Sequence, residues 1–143
     1  MEQRLPVTLI RALPIEEAAR AYTLLKTLRP HLDETLFAAR LAAQRALGYE
    51  LYVAEENGRI VGVAGGRPVC NFSRGPHFFL DDLIVADTER GRHIGVSLLA
   101  HCERSAAARG MGEVVLNARP TAKTFYARND YAEVPSPMMR KAI

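Results

Sequence analysis

Apolar positions change period several times along the chain, and each change marks an element. Val7 to Ile10 is a short apolar run, cut by Pro14, and predicts a first strand. From Ile15 the spacing becomes helical: Ala18, Ala21, Tyr22, Leu25 and Leu28 share one face, and Pro30 ends the helix. A second helix follows, with Asp33 and Glu34 suited to its positive end, an apolar stripe of Leu32, Leu36, Ala39, Ala43 and Leu47, and Gly48 as its cap. The stretches from Glu50 to Glu55 and from Ile60 to Gly66 read as strands around Asn57-Gly58, a strong hairpin signal. Pro68 to Pro76 carries Asn, Ser, Gly and Pro and reads as a loop, and Phe78 to Val85 as a strand. After a polar stretch from Asp87 to Arg92, a helix runs from Gly95 to Arg109, with Leu98, Leu99, Cys102 and Ala106 inward and Gly110 closing it. Glu113 to Asn117 is another strand, Pro120 opens a short helix reaching about Asn129, and Met138 to Ala142 forms a last strand.

This order predicts one mixed α/β (α+β) domain over residues 1–143, with about six strands, four helices and a parallel βαβ unit at its centre. With 48% hydrophobic and 24% charged residues, the chain has the balance of a globular domain. Nineteen basic and sixteen acidic residues give a net charge of +3, spread without a long run. A nucleic-acid groove needs a basic stripe with interleaved aromatics, which the sequence lacks, so no nucleic-acid partner is expected. No stretch approaches a membrane span, and Met1-Glu-Gln-Arg-Leu-Pro6 lacks a signal peptide's apolar run, so a cytoplasmic protein is expected. Cys70 and Cys102 lie far apart and form no CxxC pair, which points away from a metal or redox site.

Candidate chemistry concentrates between Asp81 and Leu99. A strand ends there, an Arg/Gly-containing turn follows, and a helix begins. The unpaired amides and positive dipole end of a first helical turn suit a phosphate. Gly91 and Gly95 let a ligand approach the backbone, and Arg90 and Arg92 add charge.

Arg90-Gly-Arg-His-Ile-Gly95 resembles the pyrophosphate motif of the GNAT superfamily of N-acetyltransferases, Arg/Gln-x-x-Gly-x-Gly/Ala. Arg119-Pro-Thr-Ala-Lys-Thr-Phe-Tyr-Ala-Arg-Asn-Asp-Tyr131 resembles that family's segment after its fifth strand, and Leu28-Arg-Pro-His-Leu32 resembles a stretch of some bacterial members. His93 stands where the first motif usually has glycine. Its amide still donates, and its side chain must point away from a pyrophosphate. Asp130 replaces the glycine before the closing aromatic, at a position expected to need a left-handed backbone, which Asp tolerates.

The resemblance implies a small single-domain acetyltransferase using acetyl-CoA, with its fourth and fifth strands splayed at a bulge. Cofactor contacts would fall to Ile84, Val85 and the turn and helix start, Arg90, Gly91, Arg92, His93, Ile94, Gly95, Val96 and Ser97. Val85 is the better match for the amide that bonds the thioester carbonyl, a contact that can contribute ~3 kcal/mol. Tyr126 matches the tyrosine near the CoA sulfur. Asp82 is the first candidate base for the amine and Asp81 the second, because strand alternation lets only one face the cleft; His77 is a further candidate. Arg29, His31, Phe72, Arg74 and His77 fall in the regions that bind the acceptor, a small-molecule or peptide amine. A second copy of the chain would complete the C-terminal sheet edge. A non-catalytic CoA-binding module on the same fold is the alternative, raised by His93.

Overall fold

The computed structural model describes residues 7–143; residues 1–6, where no signal peptide was expected, lie outside it. Five strands form one sheet in the order β1 (Leu9–Ala12), β2 (Glu50–Glu56), β3 (Arg59–Asn71), β4 (Gly75–Val85), β5 (Val114–Leu116). All neighbours are antiparallel except β4 and β5, which run parallel as the βαβ reading requires. A 3-10 stretch (Ile15–Ala21) leads into α1 (Tyr22–Leu28), and α2 (Glu34–Ala46) follows. Between β4 and β5 lies α3 (Ile94–Ala108), and α4 (Lys123–Arg128) follows a 3-10 turn opened by Pro120.

The two sheet faces carry separate cores because side chains alternate along each strand. Leu51 and Val53 of β2 pack with Leu25, Leu28 and Phe37 on the α1/α2 face. Tyr52 and Ala54 pack with Leu98, Leu99 and Cys102 of α3 on the other. Between β2 and β3, Asn57 and Gly58 have φ of +51° and +75°, the pair of left-handed residues that a two-residue hairpin demands.

Four readings change. The stretch from Pro68 to Pro76 is not a loop: β3 runs on to Asn71 and β4 begins at Gly75, leaving a three-residue tip. Pro68 is tolerated because β2 ends opposite Gly66, so that side of β3 is locally an edge. Met138 to Ala142 forms no strand, which makes the sheet five-stranded; Pro135 and Pro137, which lack amide donors, precede it. Along the α2 stripe Leu32 and Leu36 pack inward as expected, but Ala39, Ala43 and Leu47 are exposed, and Phe37 and Leu41 complete the buried face instead. The first strand sits two residues later than expected, and Leu13 beyond it is buried.

Candidate active site

Opposite Gly65 and Gly66, β4 carries one residue too many. Gly65 pairs with Asp82 and Gly66 with Leu80, so Asp81 is inserted as a β-bulge. The bulge flips the alternation: Phe78 and Leu80 face α3, whereas Ile84 faces the α1/α2 core. Asp82 is thereby turned toward Arg29 and Tyr49. The alternation expected for the two aspartates therefore fails, and both line the same groove.

Asp82 is held on both oxygens. Tyr49 Oη donates to Oδ2 (2.9 Å) and Arg29 Nε to Oδ1 (3.2 Å). Burial raises its carboxyl above the ordinary carboxylate value, while the Tyr49 hydrogen bond and the Arg29 charge pull the other way. Asp81 is instead bound by Arg67 Nε (3.1 Å), and its carbonyl accepts from Arg29 (3.0 Å).

Tyr49 reaches Asp82 across Gly65, where a Cβ would lie 1.7 Å from the tyrosine oxygen. Gly65→Ala is therefore expected to destabilise the fold by about 1–3 kcal/mol and to displace the Tyr49 ring. Denaturant unfolding checks the first effect, and a loss of Tyr49 near-ultraviolet dichroism the second; an unchanged midpoint would show that the ring is not anchored there.

β5 pairs with β4 only from Phe78 to Leu80. Beyond Leu80 the two strands part, and that side of β4 opens on a groove of about 1310 Å³. The Ala86 amide donates to Val61 O (2.9 Å), so alternation turns the Ile84 amide toward β3 and the Leu83 and Val85 amides toward the groove. The α3 N-terminus borders the same groove. Its first intrahelical bond of this turn is Ser97 N to His93 O (3.0 Å), and no side chain caps it, which leaves the Ile94, Gly95 and Val96 amides as unused donors. His93 has φ of +61°, which explains the family's glycine, and its side chain is exposed. Asp130 likewise has φ of +69°, the left-handed backbone expected of it.

Of the predicted cofactor residues, Ile84, Val85, Arg90, Gly91, His93, Ile94, Gly95 and Val96 line this groove. Arg92 does not: it turns under the loop to Glu56 (2.7 Å) and Glu89, fixing the turn rather than facing a ligand. Ser97 is exposed, with its hydroxyl on His93 O (3.0 Å). Tyr126 lines the groove, edge-on to Phe125 and Tyr131, and its hydroxyl bonds to no other described residue. Burial raises its phenol above the usual value, so it stays protonated as a donor.

Of the predicted acceptor residues, Arg29 and His31 border a second cavity of about 350 Å³, which shares Arg29, Gln44 and Asp82 with the lining of the groove. Phe72, Arg74 and His77 line neither. Phe72 is fully exposed at the hairpin tip, Arg74 pairs with Glu113 (3.3 Å), and His77 is buried with Nδ1 on Gly75 O (2.9 Å). The long hairpin carries all three away from the bulge, which leaves His77 unable to serve as base. Tyr49, Gln44 and Gly65 went unmarked by the sequence; only Asp82's place in the fold identifies them.

A sheet parted at a bulge beside an uncapped helix start forms a long groove whose free amides suit a ligand with an anionic end. The groove fits acetyl-CoA: free amides stand at one end, and the outward Leu83 and Val85 amides at the other. A family model described as an acetyltransferase (GNAT) domain matches residues 18–143, and the chain belongs to that family. It is an acetyl-CoA-dependent acetyltransferase. The chain is 29% identical over 132 residues to an uncharacterized N-acetyltransferase, YhdJ, of Bacillus subtilis, covering 90% of this chain and 93% of that one. It is 30% identical over 133 residues to glucosamine 6-phosphate N-acetyltransferase 1 of rice, covering 87% and 81%. Its fold matches the aminoglycoside N-acetyltransferase AAC(6')-Iy, solved with CoA, with a TM-score of 0.83, 18% identity and 99% of each chain covered. No helix among the described residues is long and apolar enough to cross a membrane.

Proposed function

We propose that the protein transfers the acetyl group of acetyl-CoA to a primary amine by direct attack within a ternary complex. The observation that carries this reading is Asp82, fixed by Tyr49 and Arg29 where the groove meets the side cavity. An amine in the cavity lies next to the one carboxylate that borders both spaces. An alkylammonium has a pKa near ~10, so attack requires a base to take its proton, and Asp82 does so directly or through one water. Bound acetyl-CoA supplies an electrophilic thioester carbonyl. The Val85 amide, turned to the groove, would hydrogen-bond the carbonyl oxygen, and the α3 amides with Arg90 would hold the phosphates. Holding amine and thioester side by side supplies much of the acceleration.

Tyr126 donates a proton or hydrogen bond to the departing sulfur. Tyr126→Phe is expected to lower kcat about tenfold while acetyl-CoA affinity stays within twofold. Steady-state thiol release and calorimetry read the two quantities, and an unchanged kcat would remove this role.

The reading is tested by calorimetric titration with acetyl-CoA followed by thiol release across a panel of primary amines. Saturable binding with amine-dependent release supports it. Saturable binding without release for any amine would leave a CoA-binding module without catalysis. The rice relative is named for an amino sugar phosphate and the structural neighbour for aminoglycosides, both amines, which supports an amine acceptor for this chain without selecting one.

A further inference from the structure

The cavity behind Asp82 has a distinct charge pattern. Leu25, Leu32, Phe37 and Leu41 give it an apolar wall. Its one carboxylate, Asp82, is engaged by Arg29 and Tyr49. Arg40, which is exposed, also borders it and forms no ion pair among the described residues. Instead Arg40 Nη1 donates to Nε2 of His31 (3.1 Å); both residues are exposed, so the pair stands at the open mouth of the cavity. Gln44, which borders both groove and cavity, lies four residues after Arg40 on the same face of α2. The Cα of Arg40 thus lies about 6 Å along α2 from that of Gln44, and Arg40 borders the cavity but not the groove.

We propose that the acceptor is a small amine that also carries an anionic group, a carboxylate or a phosphate, which Arg40 and His31 bind while the nitrogen reaches Asp82. The proposal rests on the reading of Asp82 as the amine's base. Arginine's planar fork matches both anions bidentately. A diamine would place its second ammonium beside Arg40 with no carboxylate to receive it. An uncharged alkylamine would leave the Arg40 and His31 donors to water and gain nothing from them. The roughly 350 Å³ available suits an acceptor of metabolite size.

The test compares four probes of similar length: 4-aminobutyrate, phosphoethanolamine, butylamine and 1,4-diaminobutane. Acetyl-CoA-dependent thiol release is measured with each, and each is also titrated calorimetrically into the CoA-loaded protein. At least one anionic probe is expected to exceed butylamine at least tenfold in kcat/KM, with diaminobutane lowest; which anionic probe wins identifies the anion. Arg40→Glu is expected to reverse the order through KM, and Arg40→Gln to narrow it, with circular dichroism confirming that both variants fold. Equal or better use of butylamine or diaminobutane by the native protein would overturn the proposal, as would an unchanged order in Arg40→Glu. If no probe is turned over, saturable binding of an anionic probe that Arg40→Glu abolishes sustains the anion site at Arg40 and His31 and counts against amine transfer, the reading on which the proposal rests. Absence of binding by both anionic probes overturns the proposal.

Discussion

Asp82→Asn is expected to lower kcat by about 10²–10³-fold while leaving acetyl-CoA affinity within twofold. The amide keeps the carboxylate's shape beside Tyr49 and Arg29 but cannot accept a proton from an ammonium, and positioned bases contribute factors of about that size. The pH profile separates this role from a structural one. Burial raises the Asp82 carboxyl, and the Tyr49 hydrogen bond and Arg29 charge restrain that rise by favouring the ionised form. The carboxyl must be ionised to act, so kcat/KM falls as pH drops through its pKa. Tyr49→Phe removes a bond to the ionised form; the pKa then climbs, and the acid limb of kcat/KM moves to higher pH. Activity of Asp82→Asn within threefold of native, or a limb that stays put or moves down in Tyr49→Phe, would exclude Asp82 as the base.

The features that local chemistry determines were legible in the sequence. Asn57-Gly58 demands its turn whatever surrounds it, and the inward face of α3, from Leu98 to Ala106, follows from its period alone. The turn from Arg90 to Gly95 was marked by its likeness to a family motif; its composition alone suits an ordinary strand-to-helix connection as well. Asp130 was marked likewise, and few residues accept its φ of +69°.

What escaped depends on the bulge. A β-bulge is a one-residue mismatch between two strands, and neither strand's own sequence counts its partner. Strict alternation therefore placed Asp81 and Asp82 on opposite faces, while the inserted Asp81 brings both to one groove. Tyr49 looked like packing because its partner lies 33 residues away and its path runs over Gly65, a position that looks idle until strand pairing is known. Arg92 misled in the opposite direction. An arginine in an anion-binding turn suggests a ligand contact, but Glu56 at the far end of β2 and Glu89 in the turn both claim it. Phe72, Arg74 and His77 were assigned to the acceptor because the resemblance gives that role to the loop before the fourth strand; here β3 and β4 extend to Asn71 and from Gly75, which puts Phe72 and Arg74 in the hairpin tip and His77 within β4.

Gly95→Glu is expected to weaken acetyl-CoA binding at least 100-fold with the fold intact. Gly95 sits in the first turn of α3, between the unused amides of Ile94 and Val96. A Cβ there would touch Phe125 (3.4 Å) and Val85 (3.5 Å) at van der Waals distance, so the backbone accepts a side chain with little strain. Anything beyond Cβ must extend into the groove. A carboxylate placed there would compete for the same amides that a pyrophosphate needs, fill its space and repel its charge, while itself being favoured by the helix dipole. Gly95→Ala separates volume from charge: a lone methyl group is expected to cost less than tenfold. Calorimetric titration with acetyl-CoA reads both variants, and thermal unfolding confirms that Gly95→Glu is folded. Retained affinity in folded Gly95→Glu would place the phosphates elsewhere, and the next positions to test would be Arg119 and Arg128, which also line the groove.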